Sequence, residues 1–321
     1  MPTKKLTPGI RSARAADPGV EARGSRRTRE RTLLALVLFL AAAPAAAGAQ
    51  TDTATWNAVG RVLQAGPTAA AGYTRYNFPR RDIALKVGDV AVSPALVLGA
   101  WAGFAGTADS AVTMGDLVLL PAELKGVLRE LEAAGLGVTA IHNHLSGETP
   151  QITYVHFHGE GPALGLARAV DRVLAKTATP RPAAAPPPAP VTIDTATVFR
   201  TLGMRGRASG PVVQLGAVLV PGAVTMDGRT LVPAMAYGTP INLQAVGADR
   251  MVGAGDFAVP GDRTAPLIAA LASHGITATA MHTHLVGESP KVYFIHFWAD
   301  GKPGDVLAGL RAALDSAGGG H

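Results

Sequence analysis

The chain contains no cysteine. That excludes disulfide cross-links, thiolate metal ligands, a cysteine nucleophile and a lipid-modified N-terminal cysteine. At 321 residues it is long enough for two ordinary domains that rely on packed cores instead. A basic surface is also missing, although the formal net charge is +6. Residues 1–31 carry nine Lys or Arg against three Asp or Glu, which is the whole excess, and the remainder balances at 20 basic and 20 acidic side chains. No cluster of the kind that grips phosphates remains, so nucleic acid is not an expected partner. A long hydrophobic run is lacking too. Leu33–Leu40 is apolar but too short to span a bilayer comfortably. The basic stretch before it and Ala47-Gly48-Ala49 after it have the layout of a secretory signal peptide over residues 1–49, with the mature chain starting near Gln50. The expectation is a periplasmic or secreted protein that meets the membrane only transiently, through that signal peptide.

Residues 178–191 contain six prolines among alanines and read as an extended, semi-rigid spacer. It separates two repeats, 51–177 and 192–318. Asp52-Thr53-Ala54-Thr55 opens the first and Asp194-Thr195-Ala196-Thr197 the second. Each start predicts a capped helix with apolar residues at helical spacing: Trp56, Val59, Val62 and Leu63, then Val198, Phe199 and Leu202. Strands are expected over Ile83–Val92, Ala95–Phe104, Val212–Val220 and Thr230–Ala236. Ser93-Pro94-Ala95 aligns with Val232-Pro233-Ala234, and Gly115-Asp116-Leu117 with Gly255-Asp256-Phe257. An amphipathic helix beginning at Pro121 and ending at Gly135 has its counterpart around Leu267–Leu271, ending at Gly275. Final helices are expected over Leu164–Ala175 and Val306–Leu314. The fold class is α+β: two tandem homologous domains, each an antiparallel sheet with packed helices and a His-bearing β-hairpin.

The chemistry concentrates in one repeated motif. Ala140-Ile141-His142-Asn143-His144-Leu145-Ser146-Gly147-Glu148-Thr149-Pro150 leads to His156-Phe157, and Ala280-Met281-His282-Thr283-His284-Leu285-Val286-Gly287-Glu288-Ser289-Pro290 leads to His296-Phe297. Six of the chain's nine histidines stand in these two copies. Val138–Leu145 and Ile152–Phe157 predict a hairpin with a loop of about five residues in which Gly147 supplies a positive φ. Strand alternation puts His142 and His144 on one face and Ile141 and Leu145 on the other, toward the core. Pairing His142 across from His156 brings three imidazoles together and leaves Val155 and Phe157 on the apolar face. The second copy repeats this with His282, His284 and His296, and with Met281, Leu285, Ile295 and Phe297 on the apolar face. Imidazole and carboxylate together are the common ligand set of divalent transition metals.

Two sites are therefore expected: His142, His144, His156 and Glu148, then His282, His284, His296 and Glu288. Zinc is the first expectation for the ion, with Cu²⁺, Mn²⁺ and Fe²⁺ as alternatives. Asp116 and Asp256 are candidate acceptors for the second ring nitrogens. His158, replaced by Trp298 in the second repeat, is an accessory residue; His274 and His321 are incidental.

Three activities are open. The chain could be a non-catalytic binder of metal. It could be a metal-dependent hydrolase-like enzyme, with Glu148 and Glu288 as ligands or general bases. It could be a metal-free envelope module that binds a ligand or serves structure. The expected partner is an unidentified small molecule or envelope component, and the two repeats could pack together as a pseudo-dimer.

The motif resembles the first metal motif of cupins, but the glycine after the Glu and the distant second-motif His are missing. It resembles the His-x-His-Pro turn of JAMM-type zinc isopeptidases, but Leu145 replaces the Pro and Gln151–His156 contains no Asp. No serine nucleophile elbow is present. The wider pattern comprises Phe78-Pro79-Arg80-Arg81-Asp82, Val87-Gly88-Asp89 through Ser93-Pro94, Ala100-Trp101-Ala102-Gly103-Phe104, Met114-Gly115-Asp116-Leu117 and the histidine motif. It resembles the LppY/LpqO-type bacterial domain of unknown function, once per repeat. The resemblance implies an exported protein of two similar domains and no particular activity. The lipoprotein anchor of that family does not carry over without a cysteine. The second repeat has Val220-Pro221-Gly222-Ala223 where the first has Phe78-Pro79-Arg80-Arg81-Asp82. Arg80 and Asp82 are expected either as a strand-end ion pair or as ligand contacts.

Overall fold

Each repeat opens on an aspartate-capped helix, because a carboxylate in front of the first turn accepts the amide hydrogens that the helix cannot satisfy. In the computed structural model, which describes residues 52–182 and 192–318, Asp52 accepts from the Thr55 amide at 3.1 Å and Asp194 from the Thr197 amide at 3.2 Å. The predicted signal peptide lies outside the described residues, as does most of the linker.

The first repeat runs α1 (Thr53–Leu63), β1 (Thr68–Ala70), β2 (Tyr73–Pro79), β3 (Leu85–Val87), β4 (Val90–Val92), α2 (Pro94–Val97), β5 (Gly99–Gly106), β6 (Ala111–Leu119), α3 (Pro121–Ala133), β7 (Gly137–His142), β8 (Glu148–Thr149), β9 (Thr153–Gly161) and α4 (Ala163–Leu174). The second runs α5 (Thr195–Leu202), β10 (Gly206–Ser209), β11 (Val212–Ala217), β12 (Thr225–Met226), β13 (Arg229–Thr230), α6 (Pro233–Ala236), β14 (Thr239–Ala245), β15 (Met251–Pro260), α7 (Gly261–Ser273), β16 (Thr277–His282), β17 (Val292–Gly301) and α8 (Pro303–Ser316). Each repeat builds a six-stranded antiparallel sheet, ordered β1-β2-β5-β6-β9-β7 and β10-β11-β14-β15-β17-β16. The two orders are the same topology.

The long helices cover one face of each sheet. Tyr76, Phe78, Phe104, Leu117, Val155 and Phe157 meet Val59, Leu63, Val127, Leu131, Val170 and Val173 in the first core. Leu215, Leu243, Phe257, Ile295 and Phe297 meet Val198, Leu202, Leu267, Leu271, Leu310 and Leu314 in the second. Burying these side chains is the main stabilising term of each layer. The other faces of the two sheets look at each other, and each repeat lays the segment between its second and third long strands across its neighbour. Asn242 donates to the Leu96 carbonyl at 2.8 Å, Gln214 to the Ala95 carbonyl at 2.9 Å, and Gln244 accepts from the Ser93 amide at 2.8 Å. In return, α6 places Met235 in an apolar cluster with Tyr73, Ala105 and Met114.

Several details differ from the sequence expectations. Ala95–Phe104 and Thr230–Ala236 are not continuous strands. Pro94 and Pro233 each start a helical turn, where their fixed φ and missing N–H cost nothing. Ile83–Val92 folds back on itself as the β3–β4 hairpin, turned at Gly88 with φ 58°. The motif hairpin is slipped by two residues. His142 stands opposite Tyr154, and Ala140 opposite His156; beyond these pairs, away from the loop, a bulge at Thr139 adds one residue to β7. The same bulge recurs at Thr279. A slip of two keeps every side chain on its own face, so the shared imidazole face survives. The loop is longer than expected because Glu148 and Thr149 form β8 and pair with Val87 and Lys86 of β3. Gly147 and Gly287 do adopt positive φ, 77° and 80°. Finally, Ile141 and Met281 are not core residues: they are 51% and 55% exposed, on edge strands. Leu145, Leu285, Val155, Phe157, Ile295 and Phe297 are buried as expected.

Candidate functional site

The two triads of imidazoles meet. His142 lies against His282 with ring centroids 3.9 Å apart, tilted by 33°, while His156 stacks near His284 at 3.8 Å and His144 near His296 at 4.2 Å. Exchanging the repeats maps the first pair onto itself and swaps the other two, which is the signature of a two-fold relation. The ring behind each central histidine follows the same rule: Tyr154 stacks on His144 at 3.4 Å and Phe294 on His284 at 3.7 Å. The Thr279 hydroxyl, on the bulge of β16, donates to the His144 carbonyl of the first repeat. One joint six-histidine cluster therefore stands where the sequence suggested two separate sites. It is built by β7 and β9 from one side and β16 and β17 from the other.

Eight ring nitrogens of this cluster are buried without a hydrogen-bond partner: both of His142, both of His296, and Nε2 of His144, His156, His282 and His284. Such orphaned polar atoms are rare and costly in a folded interior. Burial pushes His156 down to about 3 and His284, His144 and His296 well below the ordinary histidine range, with neighbouring rings adding to the effect in each case. His142 and His282 are lowered for the same first reason, burial. The rings are thus neutral and offer lone pairs. Two sets have ligand atoms lying within 4.8 Å of one another: His142, His282, His284 and His296, and His142, His144 and His156. All-imidazole sets suit zinc, copper, iron and nickel.

Asp116 and Asp256 face the same space. In the sheet register Asp116 is opposite His156 and Asp256 opposite His296, and the His156 Nε2 to Asp116 Oδ1 distance is 3.8 Å. Burial pushes Asp116 well above the usual carboxylate range, with the Asp256 charge adding to it, and burial alone pushes Asp256 up to about 8. The backbone lets the strands close here only because Gly115 has no Cβ, which would sit 2.5 Å from the Phe157 ring and the Trp101 carbonyl.

Glu148 and Glu288 lie apart from the rings in both ligand sets. Glu148 accepts from the Ile152 amide at 3.4 Å; Glu288 accepts from the Val292 amide at 3.2 Å and pairs with Lys291 at 3.1 Å. Their carboxylates tie the loop to the start of the following strand. His158 lies 3.9 Å from Glu160, on the wall of a separate small cavity with Arg229.

This arrangement occurs twice at the level of family as well. A sequence family described as Domain of Unknown Function (DUF1259) matches residues 57–176 and again 196–316. The chain belongs to that family. Each DUF1259 copy contributes one histidine triad, one buried aspartate and one stacking ring to the joint site. No curated protein matches the chain. Solved structures with similarity include EtuB from Clostridium kluyveri, at 14% identity over 79% of this chain and 90% of that one, with a TM-score of 0.20. A trimeric bacterial microcompartment shell protein, PduB, matches at 10% identity over 79% and 91%, with a TM-score of 0.21. The regulatory subunit of aspartate kinase from Thermus thermophilus matches at 14% over 65% and 93%, with a TM-score of 0.18. Scores this low carry no structural argument.

Sequence reasoning passed over Tyr154 and Phe294, which back the central imidazoles, and the cavity that adjoins the cluster. About 900 Å³ in volume, it lies between the sheets and is lined by His144, His156, His284, Asp116 and Asp256 together with Arg75, Asn77 and Trp101. Alternation on β2 is the signal that was available: Tyr76 and Phe78 go to the core, so Arg75 and Asn77 face the other way.

Proposed function

We propose that the tandem DUF1259 repeats together hold one divalent transition metal ion, zinc foremost, between their histidine triads. The observation that carries this reading is the convergence of eight buried, unpartnered ring nitrogens from both repeats. Lone pairs left without donors in a desolvated interior are stabilised by a cation, and neutral imidazole is its usual nitrogen ligand. The four-ring set draws His142 from the first repeat and His282, His284 and His296 from the second. This favours one ion per chain over one per repeat. Metal analysis of tag-free protein after depletion and reconstitution tests it: about one zinc per chain is expected, as for a single four-coordinate site. Uptake that is negligible, or that survives His142→Ala combined with His282→Ala, sinks the reading and leaves a metal-free ligand-binding or structural module.

A second reading, a metal-dependent hydrolase-like enzyme, is favoured by the adjoining cavity and by two buried carboxyl groups beside the rings. An ion with an open position would polarise a substrate oxygen or activate water. Asp116 and Asp256 would then be the groups nearest the chemistry, and Glu148 and Glu288 would hold the loops around it. The leader-like residues 1–49 and the resemblance to LppY/LpqO-type proteins support an exported protein. No helix among the described residues is long and apolar enough to cross a membrane. N-terminal sequencing of the protein recovered from its native host tests export: a start near Gln50 is expected.

A further inference from the structure

The cavity beside the histidines has arginines that the fold leaves without counterions. Arg75 on β2 is half-buried, with burial lowering its pKa first of all. Its Nε donates to Asn77 Oδ1 at 2.7 Å, and its guanidinium carbon sits 4.2 Å above the Trp101 ring. These two contacts, with a hydrogen bond to the Tyr73 side chain, hold the guanidinium at the wall of the cavity that Arg75 lines. Among the described residues no carboxylate lies within ion-pair distance of Arg75; Asp116 acts on it only electrostatically. Arg205 and Arg207, exposed at the start of β10, line the same cavity and also have no acidic partner among the described residues. Arg207 adds to the positive potential felt by Arg75. Burying a fixed guanidinium beside like charges costs free energy, which an anionic ligand would offset. The polar amides nearby are already engaged: Gln214 and Asn242 donate to carbonyls of α2. What remains facing the space is positive charge, imidazole, the carboxyls of Asp116 and Asp256, which burial raises toward their uncharged form, and apolar wall from Trp101, Val97 and Met114.

We propose that this cavity binds a small organic acid, its oxyanion seated on Arg75, with Arg205 and Arg207 guiding it at the mouth and the rest of the molecule directed toward the histidine cluster. A guanidinium has five N–H donors, and those not taken by Asn77 and Tyr73 can make charge-assisted hydrogen bonds to a carboxylate or phosphate. A volume of about 900 Å³ suits a whole small molecule rather than a single ion. The inference deepens the metal reading and rests on it only for what the inner end of the ligand meets; the arginine end stands without it.

Isothermal titration calorimetry of the mature protein with succinate, inorganic phosphate and uncharged succinamide tests it, in zinc-loaded and metal-depleted protein side by side. Saturable binding of succinate or phosphate is expected, and the stronger of the two identifies the oxyanion. Arg75→Gln should weaken it at least about tenfold, the scale of a lost charge-assisted pair. The exposed double variant Arg205→Gln/Arg207→Gln, which disturbs no core, should weaken it about two- to fivefold and steepen no other property. Arginine-dependent binding in protein that takes up no zinc sustains the proposal while the metal reading fails. Zinc uptake with no anion bound up to about 10 mM overturns the proposal and leaves the metal reading intact. Equal binding of succinamide, or affinity unchanged in both arginine variants, overturns it as well.

Discussion

The two repeats share a topology and a histidine motif but support them differently. In the first, Arg80 at the end of β2 is fully buried. It pairs with Asp82 at 2.8 Å and Glu123 at 2.7 Å, and donates to the Val118 carbonyl at 2.7 Å. Glu123 also accepts from the Leu120 amide at 2.8 Å, so one ionic network ties β2 to the start of α3. This is the strand-end ion pair, extended by a third partner. In the second repeat Val220-Pro221-Gly222-Ala223 takes its place, and Val220 joins an apolar cluster with Val224, Met235 and Phe294. A polar anchor and an apolar one hold equivalent corners. The scaffolds have diverged, while the six rings still obey a two-fold exchange. The joint site is thus among the features that both repeats keep while these corners differ.

The sharpest way to break this comparison is at those corners. Removing one partner of a buried ion network strands the other charges, a loss of about 3–5 kcal/mol. Arg80→Ala should lower the urea midpoint accordingly. Val220→Ala removes only apolar contact, about 1–3 kcal/mol. Near-equal midpoints for the two variants would mean the network carries no more than packing does.

Next in size is an asymmetry inside the symmetric cluster. His142 belongs to both ligand sets, whereas His144 and His156 belong only to the three-ring set. His142→Ala and His284→Ala should each weaken zinc binding by about 100-fold or more, beyond the 10- to 100-fold typical of losing a supporting group. His144→Ala should cost clearly less. Competition titrations against a chromophoric chelator measure this, and equal losses for His144 and His284 would assign the ion to neither set alone.

How much of this was legible depends on range. Helix caps, the stop glycines and the imidazole face follow from local chemistry: Asp52 reads its own helix, and His142 and His144 share a face because strands alternate. The bulges at Thr139 and Thr279 were not legible, since neither residue demands one; the face survived only because the slip was even. Ile141 and Met281 misled because an apolar residue on a strand looks buried until the strand is known to be an edge. The joint cluster was invisible for a deeper reason. Alternation places residues on a face but does not say which surface that face meets, and here it meets the other repeat.

A smaller contrast separates the two buried carboxyls in metal-depleted protein. Asp116 is raised by burial and by the Asp256 charge, with the Arg75 guanidinium opposing; Asp256 has burial alone and is pushed up to about 8. A carboxyl whose folded pKa exceeds the unfolded value of about 4 stabilises the fold most below that value. Its contribution is lost as pH rises from about 4 toward about 8 and is flat above. Asp256→Asn removes that slope, so its urea midpoint should gain on the parent protein between pH 5 and pH 9 with chelator present. Asp116→Asn should gain at least as much, because burial and the Asp256 charge hold its carboxyl up despite Arg75. A parent midpoint that rises over this range faster than that of Asp256→Asn would reverse the assignment.

The smallest effects belong at the helix caps, where the repeats are most alike. Asp52 and Asp194 are exposed, each accepts an amide three residues on, and each also holds a threonine hydroxyl, Thr55 or Thr197. The helices they cap pack outward of the sheets, α1 against α4 and α5 against α8, on the side away from the histidines. Asp52→Ala and Asp194→Ala should therefore lower the urea midpoint slightly and by similar amounts. Both should leave zinc uptake unchanged. If either cap variant lost zinc, the coupling between outer helices and joint site would be far tighter than the layered packing implies, and the divergence at Arg80 would need to be read as tuning of the site itself.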